Sequence, residues 1–523
     1  MIQGLLLAAG SAVLGGALAL AARRRPTLLE MTRTFAFTAA MGVVAFHLLP
    51  EVLPALGPPA LLWIAAGFAL PWLLEVGART LGPTLLARRG IRGMRVAAEV
   101  GFAALIFHSL FEGLALLATM QARENGTDLA IAIVAHHAPL TAAVALPFLD
   151  LLGVRAALLR VGLVALAGVL GVIGGNLVPA LASGADTLVV RCATAVVAGA
   201  LLHVVADEIR EQRFASGTER TLDVVAAVLG LALAGLGAFL DVRSTPRILA
   251  FARACTALAL GAGPALIASL AAELAARRVP LLQRARVVLD GFFVTAALLG
   301  WAAAAARVAL AALFVWSLLL AGRKTLHVRR TQLVDEVAPR GPWLAALLLL
   351  AGSVEVLAPA RWFTDLGPPG LVLIAAVLGV AAQMSASGAA FVACALVHRG
   401  LPAELAVPFL ALGSLPFRRT PIARSVLGAV VALAAALAAG TVLTRLSAVR
   451  EAAGSASQVF ARAALPVLTQ ITESPLSAAC AATVLAIGVA LAFRSGVRGW
   501  FAPLRHADPH EHAAHDHAAA GVP

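Results

Sequence analysis

Runs of about 17 to 25 apolar residues recur along the whole chain, and each is long enough to cross roughly 30 Å of hydrocarbon as a helix. A spanning segment must satisfy its own backbone hydrogen bonds, so repeated apolar runs of this length fold as helices. The balance of residues agrees. Of 523 residues, 61% are hydrophobic and 13% charged, and the mean hydropathy is +0.93, far outside the range of water-soluble domains. The expected fold class is an all-α, polytopic integral membrane protein.

In the first half the runs predict eight spans near 3–21, 35–56, 60–77, 96–120, 127–149, 157–177, 187–209 and 222–240. Arginines collect in alternate connections: Arg23, Arg24, Arg25 and Arg33, then Arg79, Arg88, Arg89, Arg92 and Arg95, then Arg155, then Arg210, Arg213 and Arg220. Every second loop is therefore basic, which places those loops in the cytoplasm and both ends of this half outside. The net charge of +13 follows from topology and gives no reason to expect a nucleic-acid partner. The amino terminus has no positive residue before its apolar run and three arginines directly after it, the reverse of a secretory signal. A multi-pass protein of the inner, cytoplasmic membrane with its amino terminus outside is the expectation. The four cysteines, Cys192, Cys255, Cys394 and Cys480, are dispersed without a CxxC pair and read as small core residues.

After "DVRSTPR" a second block follows, with spans near 249–274, 287–304, 306–321, 342–358, 369–397, 422–444 and 477–494. Within it, residues 383–419 mix small residues with Gly and Pro, as a broken helix with a re-entrant turn would. The chain closes on a polar tail holding His506, His510, His512, His515 and His517, of a kind that binds divalent metal loosely. The expected organisation is a first transmembrane domain over 1–245, a second bundle of six to seven helices over 246–495, and the His-rich tail over 496–523.

The histidines carry the functional signal. Of 12, five lie in the first eight spans, five in the tail, and only His327 and His398 elsewhere. Span 2 contains "FHLLPE", span 4 "HSLFEG", span 5 "AHHAPL" and span 7 "LHVVADEI". Three of these pair a His with an acid four residues on: His47 with Glu51, His108 with Glu112, and His203 with Asp207. Residues four apart share one helix face, so each helix offers an imidazole and a carboxylate in one direction. A charge near the bilayer centre costs at least about 2.5 to 3.5 kcal/mol, so these groups are expected to face the bundle interior. Imidazole and carboxylate together suit Zn²⁺ and neighbouring divalent ions. Of the adjacent His136 and His137, at least one is expected as a ligand, and since they point about 100° apart both are not expected on one ion. Pro50 and Pro139 fall inside spans, where each displaces the carbonyl four residues earlier, Phe46 and Ala135, beside His47 and His136.

These motifs, in this order over about residues 1 to 242, resemble those of the ZIP family of metal transporters. The family reads HNxPEG or HSxFEG on its fourth helix, and His108, Ser109, Glu112 and Gly113 match it. The resemblance implies a ZIP-like eight-helix bundle that carries zinc or a similar divalent ion into the cytoplasm between helices 4 and 5. It implies His108, Glu112 and His136 as principal ligands. The chain departs from the family on helix 5, where His137 stands at a position often acidic and Leu140 replaces a second Glu. Helix 6 also lacks an acid. At most one well-formed central site is therefore expected.

The second block offers only isolated polar groups, Asp290, Glu355, Gln383, Ser385 and Ser387. Its segment "SGAAFVACALVHRGLPAELAVPFLALGSLP" is weakly similar to one repeat of a family of two-repeat predicted permeases, without that family's Cys pair. No nucleophile and base pair, HExxH or phosphate loop stands in a plausible context, so an enzyme is not expected. The expectation is a divalent metal transporter whose partners are the ion and the lipid bilayer, with a homodimer compatible and no prosthetic group. The alternative is a membrane metal sensor or scaffold that binds without transporting.

Overall fold

A computed structural model describes residues 2–23, 26–57, 59–81, 98–99, 101–103, 105–110, 113, 127–177, 188–209, 216–240, 245–276, 291–320, 340–359, 363, 367–411, 438 and 447–505. No strand occurs among them, and six helices are long and apolar enough to cross a membrane. The protein is a multi-pass helical membrane protein. It divides into two compact units, one of residues 1–248 with 492–499, the other of 249–491 with 500–523.

The first unit contains α1 (Ile2–Arg23), α2 (Pro26–Val43), α3 (Leu49–Leu56), α4 (Pro59–Leu81), α5 (Gly101–Leu110), α6 (Thr127–Leu151), α7 (Val154–Leu177), α8 (Leu188–Glu208) and α9 (Gly217–Leu240). Helix α1 packs on α6 and α7, α4 packs on α8, and α2 packs on α9. Helix α6 also touches α2 and α9, which joins two of these groups, and α8 reaches the α2–α3 rod. Without a hydrophobic driving force in lipid, such contacts depend on small residues that let backbones meet. Gly67 of α4 rests on the carbonyl of Val196, and Gly199 of α8 rests on that of Ile64.

Helices α2 and α3 form one rod joined by a π-turn, Val44–Leu48, in which Leu49 N–H bonds to Val44 O. The turn falls just before Pro50, which has no N–H and crowds the preceding turn; one wide turn accommodates both faults without breaking the helix. By contrast α6 continues unbroken through Pro139. The rod also begins earlier than the predicted span at 35, since polar Thr27, Glu30 and Thr34 lie within its first turns.

Ionic contacts gather at one end of this unit. Arg33 pairs with Glu30 and Asp150, Arg160 pairs with Glu99, and Thr27 Oγ1 donates to Glu219 at 3.2 Å. The segment 492–499 docks there. Asp223, fully buried, accepts from Thr34 Oγ1 and from the Val497 N–H at 2.8 Å. Arg498, 2% exposed, reaches Glu30 and donates through Nε to Thr34 Oγ1 at 3.3 Å.

The second unit begins along α10 (Thr245–Ala276) and continues with α11 (Phe292–Leu299), α12 (Trp301–Leu320), α13 (Arg340–Leu357), α14 (Gly367–Met384), α15 (Ala386–His398) and α16 (Ala403–Ala411). It ends through α17 (Ser447–Ala461), α18 (Val467–Glu473), α19 (Pro475–Ser495), α20 (Val497–Trp500) and α21 (Ala502–Arg505), of which 492–499 belong to the first unit. The predicted division near 305 is corrected to Gly300, whose φ of +88° ends α11 where a side chain would be strained. The break expected within 383–419 occurs at Ser385, an extended residue whose Oγ accepts the Gly388 N–H at 3.1 Å. The span predicted at 422–444 lies outside the described residues save Ala438, as does Asp290. Helix α17, which hydropathy does not announce, turns Ala452, Ala456, Val459 and Phe460 into the core of this unit.

Candidate metal centre

Helices α1, α5 and α6 bring four polar side chains together in the first unit. His137 of α6 is 2% exposed and both its ring nitrogens are engaged: Nδ1 lies 2.8 Å from Ser11 Oγ of α1, and Nε2 lies 2.7 Å from Ser109 Oγ of α5. His108, beside Ser109, is 9% exposed, and its ring centroid stands 6.4 Å from that of His137. Two imidazoles and two hydroxyls thus share a buried space between three largely apolar helices. The approach of α1 depends on Gly15, where a methyl group would run into the Ala138 carbonyl and the Thr141 side chain. On the other flank Gly113 rests against the backbone of Gly168 in α7.

The remaining expected ligands are placed less fully. Glu112 lies outside the described residues. His136 is on α6 with its side chain outside them, and the same holds for His47 in the π-turn and Asp207 on α8. Glu51 is exposed on α3. His203 of α8 meets Phe68 of α4 edge to face, with centroids 5.3 Å apart. The π-turn that carries His47 packs against α8, which carries His203. Among the described residues no three His, Cys, Asp or Glu side chains come together. The described part of the site is therefore two histidines with hydroxyls around them.

Imidazole nitrogens and hydroxyl oxygens can hold a divalent ion without the tight grip of thiolates. His137 would act as a ligand by exchanging one of its two hydroxyl partners for the ion. Ser11 was not singled out from sequence, and neither was Thr141, whose hydroxyl is buried without a hydrogen-bond partner among the described residues. A hydroxyl in a spanning helix costs little because it can bond its own helix's carbonyls, so it leaves no mark on hydropathy.

In the second block, Glu355 and Ser385 have partners among the described residues, Ser385 as the cap at the helix break. Glu355, 8% exposed, accepts from Arg399 Nη2 at 2.8 Å and contacts His398 Nδ1 at 2.9 Å, and His398 stacks on Phe460. All four cysteines are free thiols.

Fold and site together define a multi-pass helical membrane protein with a buried imidazole pair in its first unit. The chain matches no family model, no curated protein and no solved structure.

Proposed function

We propose that the protein is a secondary transporter of a divalent, Zn²⁺-like cation, with its site between α5 and α6. One observation carries this reading: His108 and His137, from adjacent apolar helices, share a buried polar space with ring centroids 6.4 Å apart. A lipid-embedded chain retains such groups where they line an ion path. The motif "HSLFEG" adds Glu112 to the proposed ligand set, and the ZIP-family resemblance supplies the direction, into the cytoplasm. His47, Glu51, His203 and Asp207 are proposed as way-stations along the path, with His136 beside the centre.

Radioactive Zn²⁺ uptake into proteoliposomes tests the proposal, comparing the full chain with a His108→Ala, Glu112→Ala variant shown to insert equally well. Saturable uptake that falls to background in the variant supports it. Equal background flux in both would overturn zinc transport and favour a metal sensor.

A further inference from the structure

We infer that Ser11, on the first helix, is a positioning residue for the ion site: it accepts the hydrogen bond of the His137 Nδ1–H and so holds that imidazole ready to bind a metal through Nε2. The inference rests on the transport reading for its ion, and on hydrogen-bond geometry for the tautomer.

Three protons decide the matter, one on each hydroxyl and one on the neutral ring. Ser11 Oγ donates its only proton to the Ala8 carbonyl in its own helix, at 3.3 Å. With that proton so placed, its contact with His137 Nδ1 at 2.8 Å runs from ring N–H to oxygen. Nε2 is left as a bare acceptor, and Ser109 Oγ donates to it at 2.7 Å. Every proton has an acceptor in this direction. In the reverse direction Ser11 donates to Nδ1 and Nε2–H donates to Ser109, whose own proton then has no acceptor among the described residues. Ser11, Ser109 and His137 are 1%, 2% and 2% exposed, so water does not cheaply supply one.

The Nδ1–H tautomer is the one a metal requires when it binds Nε2, because a ligating imidazole donates its other N–H to an acceptor behind it. Ser11 is that acceptor. The Nε2 lone pair faces α5, where His108 stands, and an arriving ion exchanges with the Ser109 hydroxyl. This makes His137 a ligand contributed by α6.

Solid-state ¹⁵N NMR of the metal-free full chain in bilayers reads the tautomer directly, with the His137 signals identified by their loss in His137→Gln. The wild-type protein is expected to show Nδ1 protonated and Nε2 bare. Ser11→Ala shifts the population toward Nε2–H and raises the KM for Zn²⁺ about 10- to 100-fold with Vmax nearly unchanged. Ser109→Ala keeps the wild-type tautomer, which preserves the test should Ser11→Ala insert poorly. An Nε2–H ring in the wild type, or a tautomer indifferent to Ser11→Ala, overturns the inference. So does a shifted tautomer with an unchanged KM. Wild-type protein without saturable uptake overturns the transport reading, and the ion role of Ser11 with it, even where the tautomer is as assigned.

Discussion

Arg307 of α12 is almost wholly buried, at 1% exposure. Its Nη1 donates to Thr295 Oγ1 at 2.7 Å, and that hydroxyl in turn donates to the Gly291 carbonyl at 2.8 Å. The Thr hydroxyl thus donates to the carbonyl while its oxygen accepts from the guanidinium. Hydrogen bonds to charged groups contribute about 1.5 to 3 kcal/mol, and a buried donor that loses its acceptor incurs a desolvation cost of similar size. Thr295→Val, which keeps the shape, is expected to lower the stability of the full chain by about 1 to 3 kcal/mol. Thermal unfolding in lipid nanodiscs checks this, and an unchanged midpoint would show that the hydroxyl is dispensable. The same reasoning separates residues that sequence reveals from those it hides. His108 and His137 stand out because an imidazole in an apolar run is costly. Ser11 and Thr295 do not, since a hydroxyl there is cheap until its partner is known.

Helices were the most legible level, because bilayer thickness dictates span length and the apolar runs record it. Described helices coincide with seven of the eight spans predicted in the first half, and α5 covers part of the remaining one at 96–120. Interruptions were less legible. The break at Ser385 follows from a visible cluster of Gly, Ser and Pro, whereas the one at Gly300 hides in an Ala-rich run. How helices pair depends on which glycines face a neighbour, and hydropathy does not record facing. Gly67 and Gly199 each abut a carbonyl across the α4–α8 contact, while Gly10 of α1 has nothing within 4 Å. Gly67→Val is expected to force α4 from α8 and cost about 1 to 3 kcal/mol, the usual penalty of overpacking. Gly10→Val, facing open space, should leave stability within about 0.5 kcal/mol of wild type. Equal unfolding midpoints for the two variants would contradict the glycine-mediated contact.

For the whole molecule, the decisive feature is that the chain returns to its first unit after building the second, through residues 492–499. Hydropathy gives no sign of this return, because Arg494 and Arg498 after an apolar span read as ordinary markers of membrane side. Packing gives Arg498 another task. It is 2% exposed between Glu30 and Thr34, while the Val497 N–H is held by fully buried Asp223. These contacts tie the end of the chain to the first turns of α2 and α9 within one compact unit. Buried charges persist only when paired, so removing Arg498 leaves Glu30 without that partner and takes a donor from Thr34. A charged hydrogen bond of about 1.5 to 3 kcal/mol corresponds to roughly a ten- to hundredfold change in local opening. In Arg498→Ala the Val497 amide should therefore exchange with deuterium about 10 to 100 times faster, while amides within α6 keep their wild-type rates. Arg498→Lys should lie between, since an ammonium keeps the charge and loses the fork that spans Glu30 and Thr34 together. Uniform acceleration across the first unit would mean that Arg498 supports the entire bundle, and no acceleration would mean that the segment is held without Arg498, by the Asp223–Val497 bond and its other contacts.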